Sequence, residues 1–227
     1  QVVEIGSAPA DAIKISGLLT PGYVDLQVNG GGGVFLNETP TRDGIATIAE
    51  AHRRFGTVAL LPTVITDNAD VLDNVANAAI AAKGLPGVMG LHIEGPHISK
   101  ERRGTHDAGF VRPFDDRTMS VVTHLRDINI PVLITLAPEV TPLQTIAKLA
   151  ETGAVVSIGH TNGTAEQINE AIEAGATCAT HLFNAMSPMT SREPGAVGAV
   201  INSNVYSGII CDGHLVADSM VGLAQPG

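Results

Sequence analysis

Five stretches of this 227-residue chain carry side chains that bind metals or move protons. They are LHIEGPH with Glu94, RRGTHDAG with His106, SIGHTN with His160, ATHLFNAM with His181 and Asn184, and CDGH with Asp212 and His214. His160 and His181 are 21 residues apart, the length of one short strand–helix unit. That spacing sets them at the tips of adjacent parallel strands, roughly 4.8 Å apart across the sheet. Two imidazoles so placed can converge on one cation at ~2.0–2.1 Å each. Glu94 adds a third, charged ligand from across the mouth. Two histidines and a glutamate with an open position form a familiar hydrolytic set, in which the cation polarises a carbonyl and readies water for attack near neutral pH. Zinc is the first expectation for one divalent ion there, and iron, manganese and cobalt also suit these ligands. A lone histidine at a strand end is more often a hydrogen-bonded rim residue. It is the coincidence of three ligand types at three strand ends that favours a metal.

Other polar positions are weaker. In SKERRGTHDAGFVRPF, residues 99–114, no periodicity is visible, and a long loop in a compact domain is often functional. Lys100 to Arg103 read as a solvated basic run, whereas Gly104-Thr105-His106 reads as a hinge that presents a histidine over the site. Arg192, in a second loop, can clamp a phosphate or carboxylate, or be a plain surface arginine. His52 and His124 fall on helices and read as structural or surface residues. The run GGGG at 30–33 reads as a tight turn rather than a phosphate cradle. Where many barrel hydrolases open with His-x-His on the first strand, this chain has Gln27-Val28-Asn29. Neither amide is a strong transition-metal ligand, so a single metal per chain is expected.

Elements must position these groups. Apolar runs at 23–28, 57–64, 88–93, 132–137, 154–158, 177–182 and 206–211 read as strands. Most are continuous rather than alternating, as in parallel sheets covered on both faces. Helical patterns separate them. Residues 44–55 place Ile45, Ile48, Ala49, His52 and Phe55 on one face, with Gly56 as a stop. Asp67 caps a second helix that ends at Gly84. Thr141-Pro142 opens another that ends at Gly153, and Thr164 with Gln167 forms a capping box for one that ends at Gly175. Strand and helix alternate seven times, which fits a (β/α)8 barrel of the TIM type. A doubly wound sheet is the alternative, but no Gly-x-Gly-x-x-Gly turn follows the first strand. Residues 1–20 read as the remnant of a small β domain and 21–227 as the barrel without its eighth strand. Either the natural protein continues past Gly227 or the chain alone is inactive.

Composition narrows the partners. Lys and Arg number 13 against 23 Asp and Glu, a net charge of −10. That excludes nucleic acid and anionic membrane as expected partners but not a small anionic substrate. No apolar run approaches the ~20 residues of a membrane span. Cys178 and Cys211 lie in apolar runs and read as buried free thiols in a reducing cytoplasm.

The motifs PGYVDLQVNGGGGV, GLHIEGPHIS, RRGTHDAGFVR, SIGHTNGTAEQ, ATHLFNAMSPMTSREPG and SGIICDGHLV resemble the N-acetylglucosamine-6-phosphate deacetylases of the amidohydrolase superfamily, a resemblance that covers essentially all of residues 18–227. The resemblance implies hydrolysis of the N-acetyl group of N-acetylglucosamine 6-phosphate to glucosamine 6-phosphate and acetate. By position it makes Glu94, His160 and His181 the metal ligands and His106 the group that polarises the acetyl carbonyl. It adds Thr105, Asn184, Ala185 and His214 as substrate contacts, and Arg192 as a phosphate ligand reaching in from the partner subunit of a homodimer. His214 stands one place early against the family pattern. The family's aspartate base and acid comes from the eighth strand, and Asp212 is the nearest candidate here. Relatives with Gln-x-Asn on the first strand work with one metal, in accord with the reading of Gln27 and Asn29. The rival readings are an amidohydrolase of cyclic amides or ureides, and a non-catalytic sugar-phosphate binder.

Overall fold

The computed structural model describes residues 6–224 apart from residues 8, 14 and 18. Strand β1 (Tyr23–Val28) runs into a small hairpin of β2 (Gly30–Gly31) and β3 (Val34–Phe35). Helices and strands then alternate: α1 (Arg42–Arg53), β4 (Thr57–Ile65), α2 (Ala69–Ala81), β5 (Leu91–Glu94), α3 (Asp116–Asp127), β6 (Val132–Leu136), α4 (Leu143–Glu151), β7 (Val155–Ile158), α5 (Ala165–Glu173), β8 (Cys178–Ala179), α6 (Gly195–Ile201), β9 (Tyr206–Ser207) and α7 (Asp218–Ala224). The long-range strands pair in parallel in chain order, β1-β4-β5-β6-β7-β8-β9. An order that never reverses is that of a barrel wall, whereas a doubly wound sheet reverses at its switch point. The sheet is therefore seven strands of a (β/α)8 barrel, with β1 and β9 as its two edges. All seven expected strands are present. The last two are shorter than expected, because their chains leave the ladder to form the site.

Side-chain alternation along the strands builds two different surfaces. Leu91 and Ile93 of β5, Ile134 and Leu136 of β6, and Val156 and Ile158 of β7 face outward and pack on the helices. They meet Ile45 and Ile48 of α1, Leu72 and Val75 of α2, Leu125 of α3, Ile146 and Leu149 of α4, and Ile168 of α5. The inward positions form layers. Leu61, Leu133 and Cys178 make an apolar floor. Above it lies a buried polar layer of Thr63, His92, Thr135, Ser157 and Thr180. Above that stand Glu94, His160 and His181.

The polar layer is satisfied from within. Ser157 Oγ and Thr180 Oγ1 are 2.6 Å apart, Thr180 Oγ1 and Thr135 Oγ1 2.7 Å, and Thr135 Oγ1 and His92 Nε2 2.8 Å. His92 Nδ1 lies 3.3 Å from Thr63 Oγ1, whose hydroxyl donates to the Leu61 carbonyl. Thr63 has therefore no proton left for His92, so His92 donates from Nδ1 and accepts at Nε2. The neutral ring fits this chain, and burial lowers its pKa to about 4 against the pull of Glu94.

Local signals mostly hold. Thr164 and Gln167 form the expected capping box, and Gly56, Gly84, Gly153 and Gly175 all have positive φ. The glycine run closes the hairpin, with Gly32 and Gly33 at φ 63° and 82° as a two-residue turn requires. Four expectations are corrected. Asn68, not Asp67, caps α2, and Asp67 instead accepts from Asn37. Pro142 itself takes the cap position of α4, and the Thr141 hydroxyl is buried without a partner. Phe55 lies past the end of α1 and is 81% exposed, since the chain has already turned at Arg54. Cys178 is buried as expected but Cys211 is exposed, because β9 ends before it. Among the described residues no helix is long and apolar enough to cross a membrane. The small β remnant expected over 1–20 falls partly outside the described residues.

His97 ties the 99–114 loop to the barrel wall. Its Nδ1 donates to the carbonyls of Arg112 (3.2 Å) and Pro113 (3.0 Å), and its Nε2 accepts from Thr118 Oγ1 at 2.9 Å. Burial lowers its pKa from 6.5, against the carbonyls and Asp115, while the Arg112 charge acts in the same direction as burial. Below the unfolded value of 6.5 the unfolded chain takes a proton that the folded one resists, so stability falls with pH there. His97→Gln should cost about 1–3 kcal/mol at neutral pH, and the gap to wild type should narrow as pH drops toward about 5. Chemical denaturation across that range checks it, and a gap that widens on acidification would be the wrong sign.

Candidate functional site

The ends of β5, β7 and β8 converge on one point. Glu94 Oε1 is 3.1 Å from His160 Nε2 and 3.1 Å from His181 Nε2, and the two nitrogens are 3.0 Å apart. Glu94 is 2% exposed, and both histidines are buried. The structure therefore brings together the three residues that the sequence placed at strand ends. Two of them need unusual backbone. His160 and His181 have φ of 47° and 38°, and Phe183 and Ala185 follow at 79° and 51°. Non-glycine residues at positive φ cost of order 1 kcal/mol or more each and cluster at functional sites. Here the left-handed turn ends the strand and swings each imidazole over the barrel mouth. Gly159 lets the turn close, since a Cβ there would meet Thr135 Cγ2 at 2.6 Å.

Hydrogen bonds assign the ring protons. His160 Nδ1 lies 2.8 Å from the Arg102 carbonyl, which can only accept. The proton is on Nδ1, and Nε2 directs a lone pair at Glu94. His106 is the reverse. Its Nδ1 receives the Thr66 backbone N–H (3.3 Å) and hydroxyl (2.7 Å), so its Nε2 carries the proton, 3.7 Å from Glu94 Oε2. Burial alone would raise the Glu94 carboxyl, but the surrounding imidazoles, His106 foremost, hold it well below the usual range. An anionic carboxylate oxygen and imidazole lone pairs directed at one buried point are a donor set for a divalent cation. The three ligand atoms lie within 4.8 Å of one another, so one ion reaches all of them.

Gln27 sits beside the cluster and does not join it. Its Nε2 donates to Glu94 Oε1 at 2.8 Å, so the amide orients a ligand and offers no lone pair there. Asn29 Nδ2, His181 Nδ1 and Asn184 Nδ2 are buried without hydrogen-bond partners. Unsatisfied groups at a barrel mouth are what a polar ligand meets. Between β1 and β9 opens a cleft of about 780 Å³ bordered by Gln27, Asn29, His181, Cys211 and Asp212.

The remaining candidates divide. Thr105 is exposed next to buried His106. Ala185 is half-buried and its carbonyl accepts from Thr161. Arg192 and His214 are exposed on their loops. Asp212 is exposed and spends one oxygen on the amides of Leu215 and His214, which lower its pKa. It supports its own loop. Arg102 and Arg103 are not a merely solvated run: one lends its carbonyl to His160, and the guanidinium of the other holds the His106 carbonyl at 2.8 Å. Sequence reading missed Thr66, His92 and His97. For His92 a signal existed, since strand alternation puts it on the same face as Glu94 two residues on.

The amidohydrolase family model matches residues 18–224. The chain belongs to the amidohydrolase family. It is 48% identical over 206 residues to an N-acetylgalactosamine-6-phosphate deacetylase of a Shewanella strain, covering 88% of this chain and 51% of that protein. It is 37% identical to the N-acetylglucosamine-6-phosphate deacetylase of Haemophilus influenzae, over 86% of this chain and 51% of that one. Among solved structures it matches N-acetylglucosamine-6-phosphate deacetylase from Pasteurella multocida with a TM-score of 0.86 at 36% identity, covering 96% of this chain and 58% of that one. The chain thus spans about half the length of the curated relatives it matches. The family is metal-dependent, and among the described residues Glu94, His160 and His181 form a cluster that could hold a metal ion.

This geometry predicts one tightly held equivalent of metal per chain in elemental analysis of the purified protein. Glu94→Gln, His160→Ala and His181→Ala should each lose it, since each removes one of three ligands. Two tightly held equivalents would mean that Gln27 and Asn29 do not close the strand-1 site.

Proposed function

We propose that this chain carries the metal-holding half of a deacetylase of an N-acetylhexosamine 6-phosphate, with N-acetylglucosamine 6-phosphate as the expected substrate. Water is added across the amide, the C–N bond breaks, and acetate and the free amino sugar phosphate leave. The observation that carries this reading is the pair of opposite tautomers around Glu94. His160 offers a lone pair to a cation, and His106 offers an N–H to an oxygen. A divalent ion, zinc or one of iron, manganese and cobalt, would supply Lewis-acid polarisation of the acetyl carbonyl and activation of water.

The chain's own residues bind and orient. Glu94, His160 and His181 would hold the ion, and Gln27 fixes the Glu94 carboxylate by donating to its Oε1. The Nε2–H of His106 is placed to donate to the carbonyl oxygen as charge develops there. Asn184, with its buried unpartnered amide, and the Ala185 backbone are placed for the sugar. Thr105 and His214 stand at the rim as further contacts. The base is expected from an aspartate of the eighth strand, outside this chain, since Asp212, the nearest carboxylate, accepts from the amides of its own loop. Arg192, exposed on the loop before α6, is free to reach the 6-phosphate bound in the partner subunit of a homodimer.

Release of acetate from N-acetylglucosamine 6-phosphate and from its 4-epimer, N-acetylgalactosamine 6-phosphate, tests the reading, because relatives are named for both. Turnover of neither by metal-loaded full-length protein would refute it. Arg192→Ala should lower kcat/KM by roughly ten- to a hundredfold, the worth of a charge-assisted hydrogen bond. On unphosphorylated N-acetylglucosamine the loss should be small, and equal losses on both substrates would remove Arg192 from the phosphate site.

A further inference from the structure

We propose that Thr66 is a positioning residue that fixes His106 in the tautomer with its proton on Nε2, facing the cluster. Both neighbours of His106 Nδ1 belong to Thr66: the backbone N–H at 3.3 Å and the hydroxyl at 2.7 Å. A backbone N–H can only donate, so Nδ1 must carry a lone pair, and the hydroxyl then donates too. A proton on Nδ1 would face the amide hydrogen head-on.

Thr66 follows β4, a strand that contributes no ligand to the cluster. It is buried, and 40 residues separate it from His106. The place of its hydroxyl depends on a glycine. A Cβ on Gly95 would lie 2.2 Å from Thr66 Oγ1, and Gly95 has φ 75°. The residue after Glu94 thus leaves room for the group that orients His106.

The two rings near Glu94 are set in opposite senses by groups outside the cluster. Their centroids are 4.4 Å apart and their planes tilted by 54°. The Arg102 carbonyl puts the proton of His160 on Nδ1, and Thr66 puts that of His106 on Nε2. Exchanging either tautomer would aim a proton at the cation or a lone pair at the substrate oxygen. Thr66 therefore lets a neutral imidazole act as a fixed donor where negative charge develops, at no cost in reorganisation. The kinetic part of this inference rests on the deacetylase reading, whereas the tautomer does not.

The test is long-range 1H–15N correlation on full-length, zinc-loaded protein labelled at histidine nitrogen. Wild type should show His106 with Nδ1 unprotonated and Nε2 protonated. Thr66→Val keeps shape and backbone N–H but deletes the hydroxyl. With only the longer 3.3 Å N–H contact left to favour the lone pair, its Nδ1 signal should shift part of the way toward the other tautomer. Its kcat on the N-acetyl amino sugar phosphate should fall roughly tenfold, the worth of one hydrogen bond, with KM and metal content little changed. Thr66→Ser should restore both readouts. A wild-type His106 protonated on Nδ1 overturns the assignment whether or not the protein deacetylates anything. A Val variant with native tautomer and kcat, or a Ser variant as impaired as Val, overturns the positioning role.

Discussion

Three side-chain atoms packed within 3.0–3.1 Å of one another at a buried point set the terms for the rest of the molecule. Little water reaches Glu94 Oε1, His160 Nε2 and His181 Nε2, so the protein itself must hold these polar atoms together. The arrangement persists because the surroundings over-determine it. Gln27 donates to the carboxylate and the Arg102 carbonyl fixes one ring. The parallel ladder holds β5, β7 and β8 at their heights, pairing Glu94 with Thr135, Thr135 with Ser157, and Ser157 with Cys178. The left-handed backbone at His160 and His181 is the conformational cost of aiming both rings inward from strands that end side by side.

Below the cluster the interior changes character twice, from an ionisable layer to a hydrogen-bonded hydroxyl and imidazole layer to an apolar floor. The middle layer matters to the upper one. Its five side chains come from five consecutive strands of the wall and their ends, and the bonds between those side chains cross from one strand to another. They resist sliding of one strand against its neighbour, which would shift a ligand by a residue. A barrel filled with aliphatic side chains at that level would pack as well. It would not lock register by direction-specific bonds.

The loop of residues 99–114 is part of the same device. His97 pins it from inside the wall, the Arg102 carbonyl reaches down to His160, and Arg103 holds the backbone of His106. Gly104 passes over the His160 ring, where a Cβ would sit 3.6 Å from Cε1. A segment without periodicity is thus ordered by its contacts to the site.

Much was legible in the sequence. The seven strands, the parallel barrel wall and the meeting of Glu94, His160 and His181 follow from apolar runs, capping residues and a 21-residue spacing, because local periodicity and loop length are written in neighbouring residues. The single-metal expectation also starts there, in Gln27 and Asn29. What the tertiary structure decided is where the protons sit and which groups hold the ligands. Thr66 meets His106 across 40 residues, Gln27 meets Glu94 across 67, and Arg102 meets His160 across 58. Hydrogen-bond direction depends on atoms a few ångströms apart in space, and no pattern in adjacent residues records a meeting of that kind.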